Sequence, residues 1–120
     1  MTAIHHIEVT VSDLKRSIEF YKALFLELGW TELRSGMYIL DGCEVYLKEG
    51  KSSDSSSHYG PRHVCFRARS RDEVNRVGAL LKSRGASIIR GPLAVPKYSA
   101  TYYTVDFRDP DGFVLEVAHA

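Results

Sequence analysis

At 120 residues the chain has the length of one compact domain, enough to bury a core without disulfide or metal staples. Sixteen Lys and Arg against fifteen Asp and Glu leave a formal charge of +1, so no global field draws it to nucleic acid or an anionic membrane, and a small-molecule substrate is the expected partner. Cys43 and Cys65 form no CxxC pair, which gives no support to a disulfide framework or zinc ribbon; without a leader-like start or an apolar run of roughly 18 residues, a cytoplasmic location is expected.

From Ile4 to Val11 the residues alternate, with Ile7, Val9 and Val11 on one side and His6, Glu8 and Thr10 on the other, the period of a half-buried strand. Ser12-Asp13 then offers a helix cap. Leu14, Ile18, Tyr21, Phe25 and Leu28 follow at helical spacing until Gly29 stops the run. Three strands are predicted near residues 30 to 34, 37 to 41 and 43 to 48, divided by Ser35-Gly36 and Asp41-Gly42 turn signals. The first module therefore reads βαβββ over residues 1–49.

Residues 50–60, Ser-rich and poor in core-forming side chains, have the composition of a linker. After it the order returns over residues 61–120. A strand over 62 to 68 leads to a Ser70-Arg71-Asp72 cap and a helix carrying Val74, Val77, Leu80 and Leu81 as far as Gly85. Strands near 87 to 90, 102 to 108 and 113 to 118 complete it, with Arg108-Asp-Pro-Asp-Gly112 as the last hairpin turn and a Pro-containing loop from Gly91 to Thr101. The expected architecture is α+β: one domain of two βαβββ modules forming a curved, cup-like mixed sheet with helices on its outer face.

In each strand the apolar alternate residues belong against the helices: Ile7 and Val9, Val45 and Leu47, Val64 and Phe66, then Phe113, Leu115 and Val117. The opposite face displays His6 and Glu8, Glu44 and Tyr46, Cys65 and Arg67 beside His63, and Glu116. His6 and His63 fall at equivalent places in their modules. Two imidazoles and a carboxylate supply borderline nitrogen and hard oxygen donors for a divalent ion such as Zn, Fe, Mn or Ni, and three protein ligands leave positions open for substrate. His6, His63 and Glu116 are therefore the candidate metal ligands. Arg67 and Tyr102 are candidates to orient a substrate, Arg67 through paired hydrogen bonds to a carboxylate or phosphate. Each of these residues could also be ordinary surface polarity, and Cys65 an ordinary packed thiol. His5 is read as turned to the other strand face, and His58 and His119 as solvated.

The segments His6-Ile-Glu-Val-Thr-Val-Ser-Asp-Leu-Lys-Arg-Ser-Ile-Glu-Phe-Tyr21, Arg62-His-Val-Cys-Phe-Arg67 and Phe107-Arg-Asp-Pro-Asp-Gly-Phe-Val-Leu-Glu-Val117 resemble the marker segments of the vicinal oxygen chelate superfamily of glyoxalases, bleomycin-resistance proteins and extradiol dioxygenases. The resemblance spans essentially the whole chain. It carries the family's metal-binding histidines onto His6 and His63 and its last-strand glutamate onto Glu116, and it implies a homodimer in which His6 and Tyr46 of one copy face His63 and Glu116 of the other. It also implies a metal-dependent lyase, isomerase or dioxygenase that chelates vicinal oxygens of its substrate. The alternative is a bleomycin-resistance-like module that binds a small molecule without chemistry.

One departure stands out. Where glyoxalase I enzymes resemble this chain they place a glutamate in the last strand of module one, and the match here is Tyr46, a phenol with a reference pKa of about 10. That counts against standard glyoxalase I chemistry, although Tyr46 remains a candidate catalytic residue with Glu116. Glu44 could take the glutamate's place only through a register shift of two.

Overall fold

The computed structural model describes residues 2–51 and 61–120, so most of the predicted linker, including His58, lies outside the described residues. The chain divides into two compact units, Met1–Tyr59 and Gly60–Ala120. Each has the predicted βαβββ order.

In the first unit β1 (His6–Val11) leads to α1 (Leu14–Glu27), then β2 (Thr31–Arg34), β3 (Met37–Leu40) and β4 (Cys43–Glu49). The strands form a mixed sheet in the order β1-β4-β3-β2, with β1 parallel to β4 and the other pairs antiparallel. Asp13 caps α1 by accepting from the Arg16 backbone N–H at 3.1 Å, and the Leu14 N–H donates to Glu49 Oε1 at 2.9 Å, so the end of β4 ties down the helix start. Gly29, at φ 82°, ends the helix in the left-handed conformation that a Cβ disfavours. Asp41 and Gly42 both have positive φ, the geometry of the tight hairpin their sequence announces. The core lies between α1 and the sheet, where the Phe25 ring packs 4.7 Å from Trp30 and 4.9 Å from Tyr38, over Val45 and Leu47.

The second unit repeats this plan with β5 (His63–Arg67), α2 (Arg71–Ser83), β6 (Ile88–Ala94), β7 (Tyr103–Arg108) and β8 (Val114–His119), ordered β5-β8-β7-β6. Ser70 caps α2 by accepting from the Glu73 N–H, and the Glu73 carboxylate reaches back past the cap to accept from the Arg69 N–H. Val74, Val77 and Leu81 of α2 bury against Val105, Phe107, Leu115 and Val117. The predicted Asp-Pro-Asp-Gly hairpin is organised by Asp109, whose Oδ1 accepts from the Asp111 and Phe113 N–H groups.

One prediction is corrected. β6 does not stop at residue 90 but runs to Ala94, through a stretch read as loop. The sequence there looks broken because Gly91, at φ 88°, and Pro92 interrupt the alternation; the pairing with β7 slips at two places and resumes at Leu93, opposite Thr104.

Candidate metal and substrate site

The polar face of the second sheet carries a row of four side chains, one from each strand in the order in which the strands lie. Parallel pairing of β5 and β8 sets His63 beside Val114 and Cys65 beside Glu116; Glu116 then lies opposite Asp106 on β7, and Asp106 opposite Arg90 on β6. The result is base, acid, acid, base. His63 Nε2 is 3.2 Å from Glu116 Oε1, and Arg90 Nε donates to Asp106 Oδ2 at 2.6 Å. Neighbouring carboxylates in the centre of the row would repel one another, and each is held from its outer side by a nitrogen group.

Glu116 is only 6% exposed, and both its oxygens are committed. Oε1 faces His63, while Oε2 accepts from the Tyr102 hydroxyl at 2.6 Å and from Thr104 Oγ1 at 2.7 Å. Thr104 has three acceptors in reach, but its single proton is closest to Glu116; the Val117 carbonyl at 3.1 Å and Asp106 Oδ1 at 3.4 Å are more distant. Burial pulls the Glu116 carboxyl upward, yet the Tyr102 and Thr104 donors together with His63 outweigh it and hold it below its ordinary value. It is an ionised, pre-oriented acceptor at neutral pH. Tyr102 is shifted the other way, by desolvation first and then by its bond to Glu116, so it stays a proton donor.

A cavity of about 290 Å³ opens over this row, lined by His63 and Glu116 at one end and by Asp106 and Arg90 at the other, with Tyr98 and Tyr102 beside them. Cys65 lies on the same face, but desolvation of its sulfur, reinforced by Glu116 and Asp106, pushes the thiol up to about 12. It is neutral at physiological pH and a poor nucleophile.

In the first unit the same geometry holds different chemistry. His6 pairs with Glu44 as His63 pairs with Val114, so two residues further along the partner strand Tyr46 occupies the place of Glu116. Glu44 therefore answers to Val114, and no two-residue shift brings it to the glutamate's position. The Tyr46 ring lies 5.8 Å from that of His6, and its phenol is raised, first by a hydrogen bond to Glu8, its partner across the strands. His5 does not turn away as expected. It precedes the strand, where alternation no longer governs direction, and its Nδ1 lies 2.9 Å from His6 Nδ1.

The structure thus gathers His63, Tyr102 and Glu116 in one unit and His6 and Tyr46 in the other. Arg67 shares the face of His63 but lies opposite Ala118 and does not line the cavity; the guanidinium there is that of Arg90. Within either unit, among the described residues, no three His, Cys, Asp or Glu side chains converge closely enough to hold an ion. The sequence reading missed Arg90, Thr104 and Asp106. The alternation of Tyr102, Thr104 and Asp106 along one strand was the available signal, since it sets three polar groups on the face of Glu116.

The family model of the Glyoxalase/Bleomycin resistance protein/Dioxygenase superfamily matches residues 3–117. The chain belongs to this superfamily. Within reach of it, the protein YqjT of Bacillus subtilis is 29% identical over 126 residues, covering 95% of this chain and 96% of that one. A solved structure of a candidate glyoxalase from Bacillus halodurans superposes with a TM-score of 0.82 at 26% identity, covering 98% of this chain and 96% of the other. The fosfomycin resistance protein FosX of Listeria monocytogenes superposes with a TM-score of 0.74 at 21% identity, covering 100% and 94%, and shares the fold. Superfamily membership accounts for the α+β architecture and for the duplicated face on which the site stands. Among the described residues no helix is long and apolar enough to cross a membrane.

Proposed function

We propose that this protein is a divalent-metal-dependent enzyme acting on a small oxygen-rich substrate, by lyase, isomerase or dioxygenase chemistry, with His63 and Glu116 as metal ligands and His6 as the further donor. The observation that carries the reading is the His63–Glu116 pair. Two ligands about 2.1 Å from one ion, at angles of about 90 to 110°, stand roughly 3.0 to 3.4 Å apart, and the two atoms here are 3.2 Å apart. The carboxylate is ionised and fixed by two hydroxyl donors, the outer support that orients a ligand for an ion. His6 has support of a similar kind: when its Nδ1–H donates to His5, the Nε2 lone pair is left for an ion.

When bound, a divalent ion supplies Lewis-acid polarisation of two substrate oxygens. The chain's own groups do the rest. Tyr102 holds its proton at the hydroxyl beside Glu116 and stands at the cavity wall, where it can donate to charge developing on a substrate oxygen. Tyr46, which takes the place of Glu116 in the first module and lies across the strands from Glu8, is the catalytic candidate there. In a homodimer with shared sites, His6 and Tyr46 would come from one copy and His63 and Glu116 from the other.

The test is metal analysis of protein purified without chelator, beside His63→Ala and Glu116→Gln. Near-stoichiometric transition metal in the parent, lost from both variants, supports the enzyme. Absence of metal after reconstitution, with small-molecule binding retained in His63→Ala, would favour a non-catalytic binding module of the bleomycin-resistance kind and a cavity serving only sequestration.

A further inference from the structure

The far end of the cavity, away from the His63–Glu116 pair, has chemistry of its own. Among the side chains that line it Arg90 alone carries a permanent positive charge. Its Nε is spent on Asp106 at 2.6 Å, and Tyr98 lines the cavity beside it. A guanidinium has five N–H donors, so this bond leaves the terminal nitrogens able to donate further. The phenol hydroxyl of Tyr98 is a further hydrogen-bond donor at the cavity wall. Tyr98 packs edge-on against Tyr102 with ring centroids 5.2 Å apart, and the Lys97 ammonium lies 5.6 Å from the centre of the Tyr98 ring, adding positive charge at the rim.

We propose that Arg90 and Tyr98 form an oxyanion subsite that recognises a carboxylate or phosphoryl group on the substrate, at the opposite end of the cavity from His63 and Glu116. The inference rests on reading this cavity as the substrate pocket and adds the substrate's class: a small molecule, fitting about 290 Å³, with chelating oxygens at one end and an anionic group at the other. Asp106 has a second effect. It holds Arg90 by the Nε edge, fixing the direction of the remaining donors, and its own charge weakens the field an incoming anion meets.

The test uses chelator-treated protein, so that it reads out whether or not a metal binds. Inorganic phosphate and acetate are titrated separately and followed by NMR of the Arg90 Nε–H and of the Tyr98 and Tyr102 rings. Saturable shifts of these signals are expected for at least one anion, unchanged in His63→Ala, and affinity about tenfold lower in Arg90→Met, with Arg90→Lys between, because a lysine keeps charge and loses the fork. Asp106→Asn, which keeps Arg90, is expected to tighten binding severalfold. The stronger anion identifies the group. Equal binding by the parent and Arg90→Met, or no saturable shift with either anion, would overturn the subsite without bearing on the metal, and loss of binding in His63→Ala would reassign the anion to the other end of the cavity.

Discussion

Tyr46 stands where Glu116 stands: each lies two residues beyond the strand partner of its own module's histidine, Glu44 for His6 and Val114 for His63. The duplicated scaffold thus presents a carboxylate on one face and a phenol on the other. On the first face the carboxylate across from Tyr46 is Glu8, on the neighbouring strand, and it raises the phenol's pKa.

Replacing Tyr46 by glutamate would give the first module the carboxylate donor its position lacks. Tyr46→Glu is expected to raise affinity for a divalent ion by at least about tenfold, the least that losing a ligand's outer-sphere partner costs at such sites. Competition against a calibrated chelator measures it. An unchanged constant would mean that this face does not reach the ion.

Thr104→Val and Tyr102→Phe each remove one donor from the buried Glu116 carboxylate while keeping the shape of the side chain. Hydrogen bonds to charged groups are worth about 1.5 to 3 kcal/mol. Urea denaturation of metal-free protein is expected to show a loss of this order for Thr104→Val, at a residue with no exposed surface, and a smaller one for half-buried Tyr102→Phe. Metal affinity is expected to fall about tenfold or more in both.

Glu73 contributes, like Glu116, a pH-dependent part of stability. It is 1% exposed, and burial pulls its carboxyl upward, but the Arg69 side-chain and backbone donors, helped by Arg76, outweigh this and hold it below the usual range. A depressed carboxyl contributes stability that is complete above its unfolded pKa of about 4.3 and is lost as the pH falls through the lower folded value. Glu73→Gln is expected to cost about 1 to 3 kcal/mol at neutral pH. The gap should narrow below about pH 4, and melting curves across that range show whether it does.

Gly91→Ala tests the backbone that carries Arg90. A Cβ at this position would run into the Thr104 carbonyl oxygen, with the Leu93 nitrogen 3.2 Å away, at a φ of 88°. Gly112 has almost the same φ, 89°, and nothing within 4 Å of the added atom. Gly112→Ala therefore reads the conformational strain alone, about 1 to 2 kcal/mol, and Gly91→Ala is expected to cost about 1 to 3 kcal/mol more through overpacking. Equal losses in chemical denaturation would show that the sheet yields without cost.

Sequence alone determined the two βαβββ modules, their caps and turns, and the polar faces of β1, β4, β5 and β8, because these follow from local chemistry: period-two alternation, Asp13 and Ser70 at helix starts, glycine where φ turns positive. It also brought out His6, His63, Glu116 and Tyr46 as the residues to watch. Only the tertiary structure decided which side chains meet. Strand register set Tyr46 rather than Glu44 in the glutamate's place and aligned Glu116, Asp106 and Arg90 across three strands, with His63 reaching Glu116 from beside Val114, two residues earlier along β8. It also put Arg90, and not Arg67, in the cavity, since a strand's pattern records the face a residue takes but not how far along that face its neighbours stop.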